Sequence, residues 1–403
     1  MSKFDSIRPY EDQEVEKVLL DLAKDKDVIK TILAVNKNKW LQNVPMIEKL
    51  VTFFLRRKTK NIKTIKDYQK FFESIVLDVV NKTIDNFSIE GIDNLKIGKG
   101  YLFLSNHRDI TLDSALLNLK LHQSGINTTN NAVGNNLMNE KWASDLMRLN
   151  KSFIIDRSGK SKKDIYKSLH LASEFIINSI SNNNQSVWIA QKQGRSKDGI
   201  DFTDPAVLKM IHLNERKNTS VSDFFNSISL IPVAISYQKD PNDLLKAKEL
   251  YLTSINSVYE KEPREDLLSI SDGITGDKGN VHLYIGKPMK FESNSYEDIA
   301  ELITNKIKLS YKNHSTNIAA CIMQGINIPN HEFTENEIDE AMEYLNERMH
   351  LIPEEMHPLI QVLHCFIYLI FCELVIRYTN TLHNTCSYIC RMIFIRGFNF
   401  FCY

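Results

Sequence analysis

The stretch Tyr101-Leu102-Phe103-Leu104-Ser105-Asn106-His107-Arg108-Asp109-Ile110-Thr111-Leu112-Asp113-Ser114 decides how the rest of the chain is read. Four apolar residues that end in a polar cluster predict a buried strand delivering its last residues into a cleft. A histidine there can do chemistry. Its neutral ring can take a proton from a hydroxyl at neutral pH, and a nearby carboxylate can fix its tautomer and stabilise the imidazolium that forms. Two carboxylates stand close by, Asp109 and Asp113. At about 100° per residue, His107 and Asp113 would lie on different faces of one continuous helix, so they can meet only if His107 sits in a loop. The run from Thr111 to Lys120 then predicts a helix with Asp113 in its first turn. Asp109 is placed either to serve the histidine or to cap that helix.

Outward from this stretch, strand and helix periods alternate. Phe87 to Ile92 alternates as a strand does, and strands are predicted near Thr128–Val133, at Phe153–Ile155 and at Val187–Ala190. Between them lie helical patterns from Thr111, over 139–149 and from Lys162 to Ser181. Alternation of this kind predicts an α/β fold, a mainly parallel sheet covered by helices. Ligands of such sheets bind at the carboxyl ends of strands, and three polar clusters fall at such ends. Val281 to Pro288 alternates and is predicted to be an edge strand; Tyr296–Tyr311 and Glu335–Met349 read as helices, the latter opened by a Thr334/Glu337 capping box. The expected division is an N-terminal helical region at 1–85, the main domain at 86–290, further helices at 291–350 and an atypical tail at 351–403.

The clusters carry a resemblance. Asn106-His107, then Asp113-Ser114 after an apolar strand, is similar to the first motif of the glycerolipid acyltransferases, which make lysophosphatidic and phosphatidic acid. Phe153-Ile154-Ile155-Asp156-Arg157-Ser158 resembles the second motif, whose arginine binds the acceptor's phosphate. Gln193-Gly194-Arg195-Ser196 resembles the third, and Ile231-Pro232-Val233-Ala234-Ile235-Ser236-Tyr237 the fourth. Four motifs in order cover roughly residues 85 to 290. The resemblance implies acyl transfer from acyl-CoA or acyl-carrier protein to a glycerolipid phosphate, most simply 1-acylglycerol-3-phosphate; the alternatives are acylation of another lipid or an amine acceptor, or a lipid-binding relative without turnover. His107 would be the general base and Asp113 or Asp109 its orienting carboxylate. Arg157 and Arg195 would hold the phosphate, with Gln193, Gly194 and Ser196 completing the acceptor pocket. No cofactor or metal is implied, the thioester being a co-substrate. Three departures stand out: five residues rather than four separate His107 from Asp113, Leu149-Asn150-Lys151 replaces a glycine before the second motif, and Gln193 replaces a glutamate.

Composition sets the outer limits. The 403 residues are 43% hydrophobic and 25% charged with a formal net charge of zero, so no global field favours nucleic acid or an anionic membrane. Charge must act locally. Val51-Thr52-Phe53-Phe54-Leu55-Arg56-Arg57-Lys58-Thr59-Lys60 joins apolar to basic residues, either as a core-packed helix with a solvated end or as a surface that meets anionic headgroups. Peripheral contact with the inner face of the membrane, in a cytoplasmic protein, is the expectation, since the first residues contain no apolar export signal. No cysteine occurs before Cys321, which fits a body that needs no disulfide. Five more crowd the last 39 residues, where Cys386 and Cys390 are a weak zinc signal without a second pair, and where Leu359–Ile376 reaches only the lower limit of a membrane span. Lys192 and Lys197 are expected on a solvated rim, and His122, His170, His212 and His282 as structural.

Overall fold

Tyr101 to Leu104 are almost wholly buried, and their side chains alternate between two cores, Leu102 and Leu104 into one and Tyr101 and Phe103 into the other. A strand with apolar residues on both faces must lie in the middle of a covered sheet, and it does. The computed structural model describes residues 3–35, 46–135, 140–262, 265–326, 328 and 331–365. Among them are seven strands: β1 (Asn86–Glu90), β2 (Leu102–Ser105), β3 (Asn130–Gly134), β4 (Ser152–Ile155), β5 (Val187–Ala190), β6 (Leu230–Tyr237) and β7 (Asn280–Ile285). They form one sheet in the order β1-β7-β6-β2-β5-β3-β4. Every neighbouring pair is parallel except β6 and β7.

The helices of the described residues are α1 (Asp12–Leu22), α2 (Lys26–Val35), α3 (Ile47–Thr59), α4 (Ile65–Thr83), α5 (Leu112–Gln123), α6 (Lys141–Leu149), α7 (Lys162–Ile177), α8 (Pro205–Ile211), α9 (Val221–Ser227), α10 (Asp243–Asn256), α11 (Glu265–Thr275), α12 (Tyr296–Leu309), α13 (Ser315–Met323) and α14 (Glu335–Met349). One face of the sheet is covered by α7, α8, α9 and α12, the other by α4 and α5. The fold is therefore α/β, a mainly parallel mixed sheet between two helical layers.

The chain divides into two compact units. The first holds the described residues of 1–196, 202–242 and 259–307, so the N-terminal helices share a unit with the sheet. The second holds those of 197–201, 243–258 and 308–403. Its core gathers α10, α13 and α14 around Ala247, Ile318, Leu345 and Ile360. Within it Asp243, fully buried, takes the Arg348 Nε at 2.9 Å, and Cys321 pairs with Cys365 as a disulfide. The clustering of cysteines in the sequence does not reveal that link.

Local chemistry explains where the elements begin and end. The pattern from Asp12 to Lys26 predicts one helix, but the chain breaks after Leu22 because the Asp25 carboxylate accepts the Asp27 and Val28 N–H groups and starts α2. Thr64 with Asp67 and Thr334 with Glu337 form capping boxes at the starts of α4 and α14. The alternation at 281–288 predicts an edge strand, yet β7 lies between β1 and β6. Its alternation has a different cause. Val281, Leu283 and Ile285 enter the core under α4 and α5, while His282 and Tyr284 face a thinner covering. The Cys386/Cys390 pair and most of Leu359–Ile376 lie outside the described residues. Among the described residues no helix is long and apolar enough to cross a membrane, and no group of three His, Cys, Asp or Glu side chains could hold a metal ion.

Candidate active site

β2, β4 and β5 run parallel, so the segments that follow Ser105, Ile155 and Ala190 emerge at one edge of the sheet. That edge collects the first three polar clusters. Asn106 fixes the first of them: its side-chain amide donates to the Ile235 carbonyl at 2.9 Å and its carbonyl accepts the Ile235 N–H at 2.8 Å. The residue before His107 is thus sewn to β6 as a ladder partner would be. The third cluster is tied in by backbone, with the Gln191 N–H on the Ser105 carbonyl and the Ser196 N–H on the His107 carbonyl, each at 2.8 Å.

His107 sits in the loop after β2, and Asp113 in the first turn of α5. Their side chains meet, His107 Nδ1 lying 2.8 Å from Asp113 Oδ2. The same oxygen accepts the Arg108 N–H at 2.6 Å and the Asp109 N–H at 3.1 Å, while Asp113 Oδ1 accepts the Tyr237 hydroxyl at 2.8 Å. The Asp113 side chain is 1% exposed and that of His107 16%. Burial of a carboxylate is tolerable only with such a set of donors. With Nδ1–H donating to Asp113, the ring presents Nε2 as its acceptor, the form a general base needs. The indole of Trp188 stands edge-on to the ring, centroids 5.6 Å apart, and restricts its rotation.

Asp109, the other candidate, is differently engaged. Its Oδ1 accepts the Thr111 and Leu112 N–H groups at 2.9 and 2.8 Å and so starts α5. Burial and the neighbouring Asp113 charge push its carboxyl above the ordinary range, against the pull of those N–H groups and of Arg195. The five residues between His107 and Asp113 thus turn so that the Arg108 and Asp109 N–H groups both reach Asp113. Gly273 of α11 backs this turn so closely that a Cβ there would come 2.2 Å from Asp109 Oδ2.

The second and third clusters meet at the rim. Arg157, exposed after β4, donates through Nη1 to the Gln193 side-chain oxygen at 2.5 Å. Asp156 takes no part; its Oδ1 accepts both the N–H and the hydroxyl of Ser158, which shape the loop and hold its carboxyl below the usual range. Gly194 is exposed at φ +77 with open space around it, so the backbone conformation and not crowding requires glycine. Arg195 is half-buried with one guanidinium nitrogen enclosed and unpartnered, close enough to Asp109 to act on its charge. Ser196 is buried. The predicted acceptor residues therefore divide, with Arg157, Gln193 and Gly194 on the surface and Arg195 and Ser196 inward.

Two expectations change. Lys197 is no solvated rim residue, since it pairs with Glu249 inside the second unit, and Lys192 lies over the Phe202 ring at 4.6 Å. The glycine absent before the second motif has a counterpart in Lys151, which adopts the left-handed conformation at φ +58. Its buried ammonium donates to the Thr128 carbonyl and the Gln185 side-chain oxygen at 2.7 and 2.9 Å, bonds that offset the strain of that backbone. Of the histidines expected to be structural, His122 pairs with Glu73, His212 with Tyr296 and Thr219, and His282 with Ser88.

Sequence reasoning placed Tyr237 at the end of the fourth motif but gave it no role, and it missed Gly273 altogether; each reaches the His107 loop from an element far along the chain.

Residues 86–236 match the family model described as Acyltransferase. No curated protein matches the chain. Among solved structures the chain is similar to the 1-acyl-sn-glycerophosphate (LPA) acyltransferase, PlsC, from Thermotoga maritima, at 14% identity over 75% of this chain and 100% of that one, with a TM-score of 0.34. The matched segment contains His107, Asp113 and the polar clusters that follow them, and it is this segment that is similar to the Acyltransferase family.

Proposed function

We propose that the protein transfers a fatty acyl group from a thioester, acyl-CoA or acyl-carrier protein, to a hydroxyl of a glycerolipid phosphate such as 1-acylglycerol-3-phosphate. The observation that carries this reading is the 2.8 Å contact between His107 Nδ1 and Asp113 Oδ2. Nε2 of His107 removes the hydroxyl proton as the oxygen attacks the thioester carbonyl. Asp113 steadies the imidazolium, and the thiolate leaves with the proton that the imidazolium returns. Arg157 takes the acceptor phosphate at the rim, where its fork suits two phosphate oxygens. Arg195 adds positive potential from beneath, and Gln193, Gly194 and Ser196 frame the pocket. No cofactor or metal enters the scheme. The alternative of a fold that binds lipid without turnover is disfavoured by the intact His107–Asp113 contact, since a lapsed site has no need to keep a buried carboxylate on a histidine.

The acceptor resides in membranes, and α3 is the element we assign to peripheral contact with them. None of its residues is buried; Phe53 and Phe54 are 59% and 61% exposed, beside Arg56, Arg57 and Lys58 in the last turn. An apolar pair next to cations fits the headgroup boundary of an anionic leaflet, such as the inner face of the cell membrane, where each cation contributes about 1 kcal/mol.

The test is acyl transfer from labelled acyl-CoA, or labelled acyl-carrier protein, to lysophosphatidic acid carried in anionic vesicles. Labelled phosphatidic acid and free thiol are expected. Loss of the base in His107→Ala should lower the rate by roughly 10² to 10⁴ without unfolding the chain. A folded wild-type chain inactive with both donors would sink the reading; equal rates on neutral vesicles would sink the role of α3.

A further inference from the structure

We propose that Tyr237 is a positioning residue that holds the Asp113 carboxylate square to His107, extending the pair into a His–Asp–Tyr chain of hydrogen bonds. The inference rests on the reading of His107 as general base. It begins with how the two carboxylate oxygens are shared. Oδ2 receives His107 Nδ1 and the N–H groups of Arg108 and Asp109, all from one short loop, whereas Oδ1 receives the Tyr237 hydroxyl at 2.8 Å from β6. A carboxylate held on one oxygen only can swivel about its Cβ–Cγ bond, and that torsion is soft. The second contact, from the opposite side, removes the freedom.

Tyr237 is well built for this. It is buried and lies two residues beyond Ile235, whose N–H and carbonyl are both bound by the Asn106 side chain. The residue before His107 and the strand that carries Tyr237 are thus locked in register, so the distance from phenol to imidazole is set by the sheet. The charged groups facing this cluster are Asp109, beside Asp113 on the same turn; Arg195 and Lys278, which both act on Asp109; and Asp240, three residues past the end of β6. Burial and the adjacent carboxylates Asp113 and Asp109 push the phenol well above its ordinary range, so it remains a donor wherever the histidine works as a base.

The sign of the expected effect follows. The phenol draws electron density from Asp113, so its removal in Tyr237→Phe leaves a more basic carboxylate that grips the imidazolium harder, and one buried oxygen without a donor. We expect kcat to fall roughly tenfold, the scale of a lost hydrogen bond to a buried charged group, with KM for both substrates within about twofold. The acid limb of kcat/KM should move to higher pH. Because Phe could loosen the site by other means, 3,5-difluorotyrosine placed at 237 gives the opposite arm: its phenol is a stronger donor of the same shape, and the acid limb should move to lower pH.

An activity-independent readout uses ¹⁵N-histidine labelling. The low-field proton on His107 Nδ1, assigned by its loss in His107→Ala, should move in opposite directions in the two variants. A proton resonance and acid limb unmoved in both variants would overturn the proposal, as would shifts of the same sign. If the wild-type chain transfers no acyl group, the functional reading fails while the resonance still decides the contact.

Discussion

The two ends of the candidate site are built to opposite plans. At the His107 end three side chains are pinned: Asp113 by three N–H groups and a phenol, Asn106 by β6, and Asp109 by the start of α5. At the Arg157 end the side chains are exposed and joined by one hydrogen bond, from the guanidinium to the neutral Gln193 amide. In the proposed reaction the difference would separate two tasks. Proton transfer needs a geometry fixed before the substrate arrives, because reorganisation during reaction would add to the barrier. Capture of a headgroup needs charge and reach, and tolerates motion.

The sharpest attack on this contrast is Asp113→Asn. The amide keeps the shape of the carboxylate but offers one acceptor where two are used, and it cannot balance an imidazolium. We expect kcat to fall by about 10²-fold with KM little changed; a change confined to KM would mean that this end is not the reacting one. A gentler probe acts at the rim. Gln193→Glu turns the bond to Arg157 into an ion pair that competes with phosphate, so KM for an anionic acceptor should rise about threefold at unchanged kcat, and a neutral acceptor should not sense the change. Equal effects on both acceptors would place the headgroup elsewhere.

The smallest effect concerns stability rather than turnover. Burial pushes the Lys151 ammonium down to about 8. The folded chain therefore sheds a proton that the unfolded chain keeps up to about pH 10.4, and stability gains with pH across that window. Lys278, also lowered by burial to about 8, acts in the same direction, while buried tyrosines such as Tyr68, raised by desolvation, oppose it above about pH 10. Urea midpoints at pH 8, 9 and 10 should rise less steeply in Lys151→Met than in the wild type. Parallel slopes would show that Lys151 is not the group being titrated.

The loop–helix arrangement around His107 is legible in the sequence because it is local. The apolar run before Ser105 demands a buried strand, and the spacing of His107 and Asp113 excludes a continuous helix. Which carboxylate meets the ring is not legible, for Asp109 and Asp113 are both within reach and the path of four loop residues decides. Nor is the contact of Tyr237 with Asp113, 124 residues away, or Gly273, whose missing side chain makes room for Asp109. Both depend on the sheet order, and β7 shows how pattern misleads there: an alternating strand reads as an edge when it is an interior strand with one thin covering. Lys151 is hidden for another reason. A lysine gives no sign of a left-handed backbone, which here is held by the acceptors on Thr128 and Gln185 and by backbone bonds to Arg148 and Asn131.

The bond between Arg157 and Gln193 bears on timing. Acceptor and product of the proposed reaction carry the same phosphate, so whatever holds one detains the other. In that reaction a neutral amide on the guanidinium would give way to phosphate and return when the product leaves. Glutamate at this position would delay entry but hasten departure. Glutamine would shift the balance toward swift loading and longer residence, so that release of the finished lipid would be the step against which the speed of His107 is set.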